Sequence, residues 1–106
     1  MPAFNEEKSI KEAVIGIKKV MNFNRYSYKI LVVDDGSSDH TADVVRPLLK
    51  EFSNLKSIHY APNRGKAHAV RQGIEAATGD VIIILDADLS ISAKEIPRFF
   101  SPINQG

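Results

Sequence analysis

Two acidic clusters, each closing an apolar run, hold the residue types best suited to chemistry in this sequence. Ile30-Leu31-Val32-Val33 leads into Asp34-Asp35-Gly36-Ser37-Ser38-Asp39, and Val81-Ile82-Ile83-Ile84-Leu85 leads into Asp86-Ala87-Asp88. Side chains two apart on an extended segment share a face, so Asp86 and Asp88 can converge on one point. Two carboxylates about 5 Å apart at an effective dielectric near ~20 repel by roughly 3 kcal/mol. A hard divalent cation, Mg2+ or Mn2+, removes that cost through oxygen ligation. The expectation is a metal-dependent site for a phosphorylated ligand.

The elements that must position these clusters follow from the apolar pattern. Continuous β-branched runs suit strands buried on both faces, as in a parallel sheet covered by helices. Ligands of such sheets bind beyond the carboxyl ends of the strands, where both clusters fall. Ser9-Ile10-Lys11-Glu12 has the form of a capping box, and Ile10, Val14, Ile17 and Met21 follow at helical spacing, predicting a helix over about 9–22. A strand is predicted over about 28–34. Asp39 is expected to cap a second helix whose inner face carries Val45, Leu48, Leu49 and Phe52, with Pro47 shortening or kinking it. Residues 57–60 are expected to form a short strand. Asn63-Arg64-Gly65 opens a third helix with Ala67, Val70, Ile74 and Ala77 inward, ended by Gly79. The second acidic strand, about 80–86, and a last helix from Ser92 with Ile96, Phe99 and Phe100 complete the pattern. The fold class is α/β, a mostly parallel sheet flanked by helices. Pro2-Ala3-Phe4-Asn5-Glu6-Glu7 looks like a loop leaving a strand, yet only Met1 precedes it, so the first strand is expected to be missing.

Composition narrows the function classes. A chain of 106 residues with 43% hydrophobic and 25% charged residues is expected to form one domain. A net charge of +1 gives no footprint for nucleic acid, and Lys18-Lys19 reads as a solvated helix face. The absence of cysteine excludes thiolate metal sites and suits a reducing, cytoplasmic setting. No apolar stretch approaches the ~20 residues that span a bilayer. Membrane association would have to come from sequence outside this chain.

Four segments together resemble the family 2 glycosyltransferases of GT-A fold: Pro2 to Glu7, Val33 to Asp39, Asn63-Arg64-Gly65-Lys66, and Gly79-Asp80 running to Asp86-Ala87-Asp88-Leu89. Asp-Ala-Asp-Leu-Ser with a following Ile-Pro is most similar to the synthases that load mannose or glucose onto dolichyl or polyprenyl phosphate. The resemblance implies a Rossmann-like nucleotide-sugar domain over residues 1–106, truncated at both ends. It implies a GDP- or UDP-sugar as ligand, a divalent metal as cofactor, and transfer to an acceptor such as a lipid phosphate. Pro2, Phe4 and Glu6 would cradle base and ribose, and one of Asp34 and Asp35 would contact the base. Lys66 would approach the diphosphate at a helix start, where amide dipoles favour anions. Asp86 would lie near ribose, diphosphate and metal, and Asp88 would be the principal metal ligand. His68 departs from the small residue frequent at its position and is expected on the helix surface. His40 and His59 show no partner pattern.

Plainer readings stand beside this one. Asp34-Asp35-Gly36 could be only a turn, and Asp39 only a cap. A receiver domain of two-component signalling also has an Asp pair after its first strand, but the spacing between clusters is long for it and no later strand ends in the required lysine. A non-catalytic fragment or binding module that keeps the nucleotide pocket is compatible with the family resemblance. The expected gap left by a missing first strand exposes unpaired backbone groups, which predicts either direct pairing of the two acid-bearing strands or self-association into a homo-oligomer.

Overall fold

The run Ile30-Leu31-Val32-Val33 forms the heart of the middle strand of a parallel sheet in the computed structural model, which describes residues 1–25 and 27–78. The described elements alternate: β1 (Pro2–Ala3), α1 (Ile10–Phe23), β2 (Ile30–Asp35), α2 (Thr41–Glu51), β3 (Leu55–Tyr60) and α3 (Lys66–Ala76). The strand order is β1-β2-β3, with β2 parallel to both neighbours. The register pairs Ala3 with Asp34 on one side, and Asp34 with His59 and Asp35 with Tyr60 on the other.

Strand alternation divides β2 between two helical layers. Ile30 and Val32 join Ile10, Val14, Ile17 and Met21 of α1 and Val45 and Leu48 of α2 in one core cluster, with Ala3 and Leu55. Burying each of the larger side chains contributes about 2 kcal/mol. Val33 faces α3, which approaches closely because it presents small residues there. Ala69 is fully buried, and a Cβ on Gly73 would lie 3.5 Å from Val33 Cγ2. The inward face expected for this helix is therefore corrected. Ile74 is 45% exposed and Ala67 is exposed, because close approach of helix to sheet selects Ala69 and Gly73, four residues apart, over the larger apolar side chains.

The expected missing strand is also corrected. Pro2–Ala3 is a two-residue strand beside Val33–Asp34; Val33 N donates to Met1 O at 2.9 Å and the Met1 amino group donates to Leu31 O at 2.8 Å. Backbone groups on that side of β2 are thus paired, and the gap argument for self-association loses its force there. α2 runs on through Pro47, which sits on an exposed position. Lys18 is not a solvated partner of exposed Lys19. It donates to Asn54 Oδ1 at 2.7 Å and lies 4.3 Å above the Phe52 ring, tying α1 to the end of α2 and the start of β3. The strand over 80–86, the helix from Ser92 and the Gly79 helix end lie outside the described residues. Among the described residues no helix is long and apolar enough to cross a membrane.

Candidate functional site

Because the three strands are parallel, the loops after β1, β2 and β3 leave from one edge of the sheet, and hydrogen bonds tie them together. Asn5 adopts a left-handed backbone (φ 53°), which directs its side chain at the loop after β2. Its Oδ1 accepts from Ser38 N at 2.9 Å and Asp39 N at 3.3 Å, and its own amide donates to Ser37 Oγ at 2.9 Å. Asp39 returns the link, accepting from Thr41 N at 2.9 Å, from Thr41 Oγ1, and from Glu7 N at 3.2 Å. Burial would raise the Asp39 pKa; the Thr41 hydroxyl and amide, the Glu7 amide and the charge of His40 outweigh it and hold the carboxyl below its ordinary value. Thr41 Oγ1 in turn accepts from Glu6 N at 2.9 Å. Asp39 thus joins two loops, whereas the N-cap position of α2 falls to His40. The capping box at Ser9 does not form: its hydroxyl donates to Glu6 Oε2 at 2.9 Å, and Glu6 O accepts from Ser9 N and Ile10 N.

The loop after β3 is organised by Asp35, the last residue of β2. Its Oδ2 accepts from Asn63 Nδ2 at 2.6 Å and Gly65 N at 2.9 Å, and its Oδ1 from Arg64 N at 2.9 Å. Asn63 Nδ2 also donates to the Asp35 carbonyl at 3.0 Å. Burial pushes the Asp35 pKa up. The adjacent Tyr60 hydroxyl, the Arg64 and Gly65 amides and the charge of His68 more than offset this, so the carboxyl is held below its ordinary range. Tyr60 is pushed the other way, up to about 12, by burial first and then by Asp35. Its hydroxyl is closed to solvent and makes no hydrogen bond of regular geometry. The His68 ring meets the Tyr60 ring edge-on, 5.2 Å between centroids. Gly36 (φ +67°) lets the loops after β2 and β3 touch, since a Cβ there would lie 2.4 Å from Asn63 N.

Asp34 faces the opposite way and closes a different chain of contacts. Its Oδ1 accepts from Ser37 N at 3.1 Å, and its Oδ2 lies 3.1 Å from His59 Nδ1, whose Nε2 lies 2.9 Å from Ser57 Oγ. A neutral imidazole protonated at Nδ1 satisfies both contacts.

The structure therefore brings Asp34 and Asp35 to one edge with the residues of the first loop. Pro2 is half-buried within β1, Phe4 is 45% exposed just beyond it, and Glu6 is half-buried with its carboxylate on Ser9. Lys66 opens α3, directly after the turn that Asp35 holds. Asp86 and Asp88 lie outside the described residues. Among the described residues no three His, Cys, Asp or Glu side chains are grouped to hold a metal ion. His59, Tyr60 and the inward setting of His68 were not anticipated. The available signal was that residues 59 and 60 end a strand parallel to β2, which places them beside Asp34 and Asp35.

Parallel strands with helices on both faces and loops converging at their carboxyl edge define an α/β domain, a class whose ligands generally bind at that edge. The sequence matches the model of Glycosyl transferase family 2 over residues 1–106, and the chain belongs to that family. Its structure is similar to that of the mannosyltransferase PcManGT from Pyrobaculum calidifontis in complex with GDP-Man and Mn2+, with TM-score 0.72, 32% identity, and coverage of 82% of this chain and 26% of that one. It is also similar to the crystal structure of S. aureus TarS 1-349, with TM-score 0.78, 27% identity, and coverage of 98% of this chain and 30% of the other. The chain thus spans less than a third of either relative.

Proposed function

We propose that this chain is the donor-binding part of a glycosyltransferase that takes a nucleoside-diphosphate sugar, GDP-mannose in first place, together with Mn2+ or Mg2+. The observation that carries this reading is the three-loop edge organised by Asp35 and Asp39 in a chain whose full length matches the family. The choice of GDP-mannose and manganese draws on the bound groups of the 32% identical mannosyltransferase.

In this reading Phe4 offers an exposed ring face to the base, and Pro2 and Glu6 flank base and ribose. Asp35 is assigned the base contact in preference to Asp34. It is the last residue of its strand, it is held ionised, and a carboxylate with about four acceptor positions keeps one after the three loop bonds. Asp34 is assigned to hold the loop at Ser37. Arg64 and Lys66, both exposed at the start of α3, bring positive charge to the diphosphate side. Asp86 and Asp88, two hard oxygen donors, are assigned to the cation, whose contribution when bound is to neutralise the departing diphosphate. A lipid phosphate acceptor, dolichyl or polyprenyl, is already anionic and needs no base to activate it. The motif Asp86-Ala87-Asp88-Leu89-Ser90 supports that acceptor class.

A binding module that keeps the donor pocket without turnover is the second reading. Titration with GDP-mannose and UDP-glucose in manganese, followed by a sugar-transfer assay with polyprenyl phosphate, tests both. Saturable binding supports the donor-site reading. Transfer by the chain alone sinks the module reading, and no binding of either donor sinks the first.

A further inference from the structure

We propose that His59 is a positioning residue for the nucleotide pocket: through Asp34 it sets the loop after β2, and through that loop the Asn5 backbone beside Phe4. This deepens the donor-site reading and rests on it for the effect on the ligand. The observation that carries it is an unbroken run of hydrogen bonds across two strands and two loops. Ser57 Oγ lies 2.9 Å from His59 Nε2, and His59 Nδ1 lies 3.1 Å from Asp34 Oδ2. Asp34 Oδ1 accepts from Ser37 N at 3.1 Å, and Ser37 Oγ accepts from Asn5 N at 2.9 Å. Every link has one consistent polarity. The Ser57 hydroxyl donates to Nε2, which leaves the ring proton on Nδ1 to donate to Asp34, whose two oxygens then only accept.

Strand register puts these groups together. Ser57 and His59 are two apart on β3 and share a face, and His59 is the register partner of Asp34. Asp34 is in turn the register partner of Ala3, the residue before Phe4. The Asp34 side chain is only 6% exposed, so an oxygen left there without a donor is costly. Ser37 N holds one oxygen, and a second donor on the other oxygen fixes the plane of the carboxylate and hence the seat of Ser37. Asn5 is consequently clasped at two points, at its amide by Ser37 and at its side chain by the Ser38 and Asp39 amides. A first loop held this way in advance reduces the ordering that a bound nucleotide must impose.

His59→Asn places an amide nitrogen where Nδ1 stands and keeps a donor to Asp34, whereas His59→Leu keeps the bulk and removes the donor. Three readouts are taken on the full chain: the imidazole tautomer by nitrogen NMR, hydrogen exchange of the Ser37 amide, both without ligand, and GDP affinity in manganese. The wild type should show the tautomer protonated at Nδ1. His59→Leu should speed Ser37 exchange and weaken GDP binding, each about fivefold, the equilibrium counterpart of one net hydrogen bond, and His59→Asn should bring both back to within about twofold. A wild-type ring protonated at Nε2, or unchanged Ser37 exchange in His59→Leu, overturns the relay. Equal impairment of the two variants overturns the donor role in favour of packing. Faster exchange with unchanged GDP affinity overturns the positioning role. If the wild type binds no GDP, the donor-site reading fails separately, and the tautomer and the exchange still judge the relay. Should His59→Leu not fold, Ser57→Ala carries the test: loss of that hydroxyl should populate the Nε2-protonated tautomer, and an unchanged tautomer refutes the relay.

Discussion

The backbone amide of Gly65 donates to the Asp35 carboxylate at 2.9 Å, so the last residue of β2 anchors the start of α3. A strand end and a helix start are thereby held by one buried ion, and the intervening turn takes its shape from that ion. This makes Asp35 more than a turn residue.

Asp35→Ala should cost about 3 kcal/mol in denaturant unfolding, since it strips partners from the Asn63 side chain and from the Arg64 and Gly65 amides. The pH dependence has a definite sign. Asp35 and Asp39 have folded pKa values below their unfolded ones, so their stabilisation is present above the unfolded value near 3.8 and is lost as pH falls through the folded values. The wild type should lose stability progressively below about pH 4, and Asp35→Ala should show a shallower acid slope. Equal acid slopes would remove Asp35 from this role.

Asn5 and Asp39 should be energetically coupled. Asn5→Ala removes the acceptor for the Ser38 and Asp39 amides and places alanine at a left-handed φ, and Asp39→Ala releases Thr41 and Glu7. Each is expected to cost about 1–2 kcal/mol, with the double variant costing about 1 kcal/mol less than their sum. Strict additivity in a double-mutant cycle would mean that the two loops are held independently.

Gly36→Ala tests the contact between the loops after β2 and β3. A Cβ would lie 2.4 Å from Asn63 N and 2.8 Å from Asn63 Cα, backbone atoms that cannot swing away, at a φ that disfavours alanine. A loss of about 3 kcal/mol or more is expected in thermal or denaturant unfolding, well above the ~1 kcal/mol of backbone strain alone. A change below 1 kcal/mol would show that the loops separate readily.

The helices at 10–23 and 41–51 and the strand at 30–35 were legible because their apolar spacing is set within each segment. The reach of β3 back to Leu55 was not, since Lys56 and Ser57 interrupt its apolar pattern and its extent is set by pairing with β2. For the same reason Asp34 and Asp35 were visible as candidates, while their partners His59 and Tyr60 were not. Those pairs exist only through register, a relation between segments 25 residues apart in sequence. The inner face of α3 was misread because apolar size points to Ile74, whereas close packing on Val33 selects Gly73 and Ala69. Ser9 and Asp39 were recognised as polar residues at helix starts, but Ser9 turns back to Glu6, and Asp39, besides holding Thr41, reaches across to Glu7 in the first loop, a link that local capping rules do not anticipate.

The central claim is a metal-dependent donor site at the carboxyl edge of this sheet, and calorimetric titration of GDP tests it most directly. The wild type should bind GDP in manganese and lose at least tenfold in affinity on chelation. Asp88→Ala should behave in manganese as the wild type does without it. Equal affinity with and without the metal, or no effect of Asp88→Ala, would contradict the account.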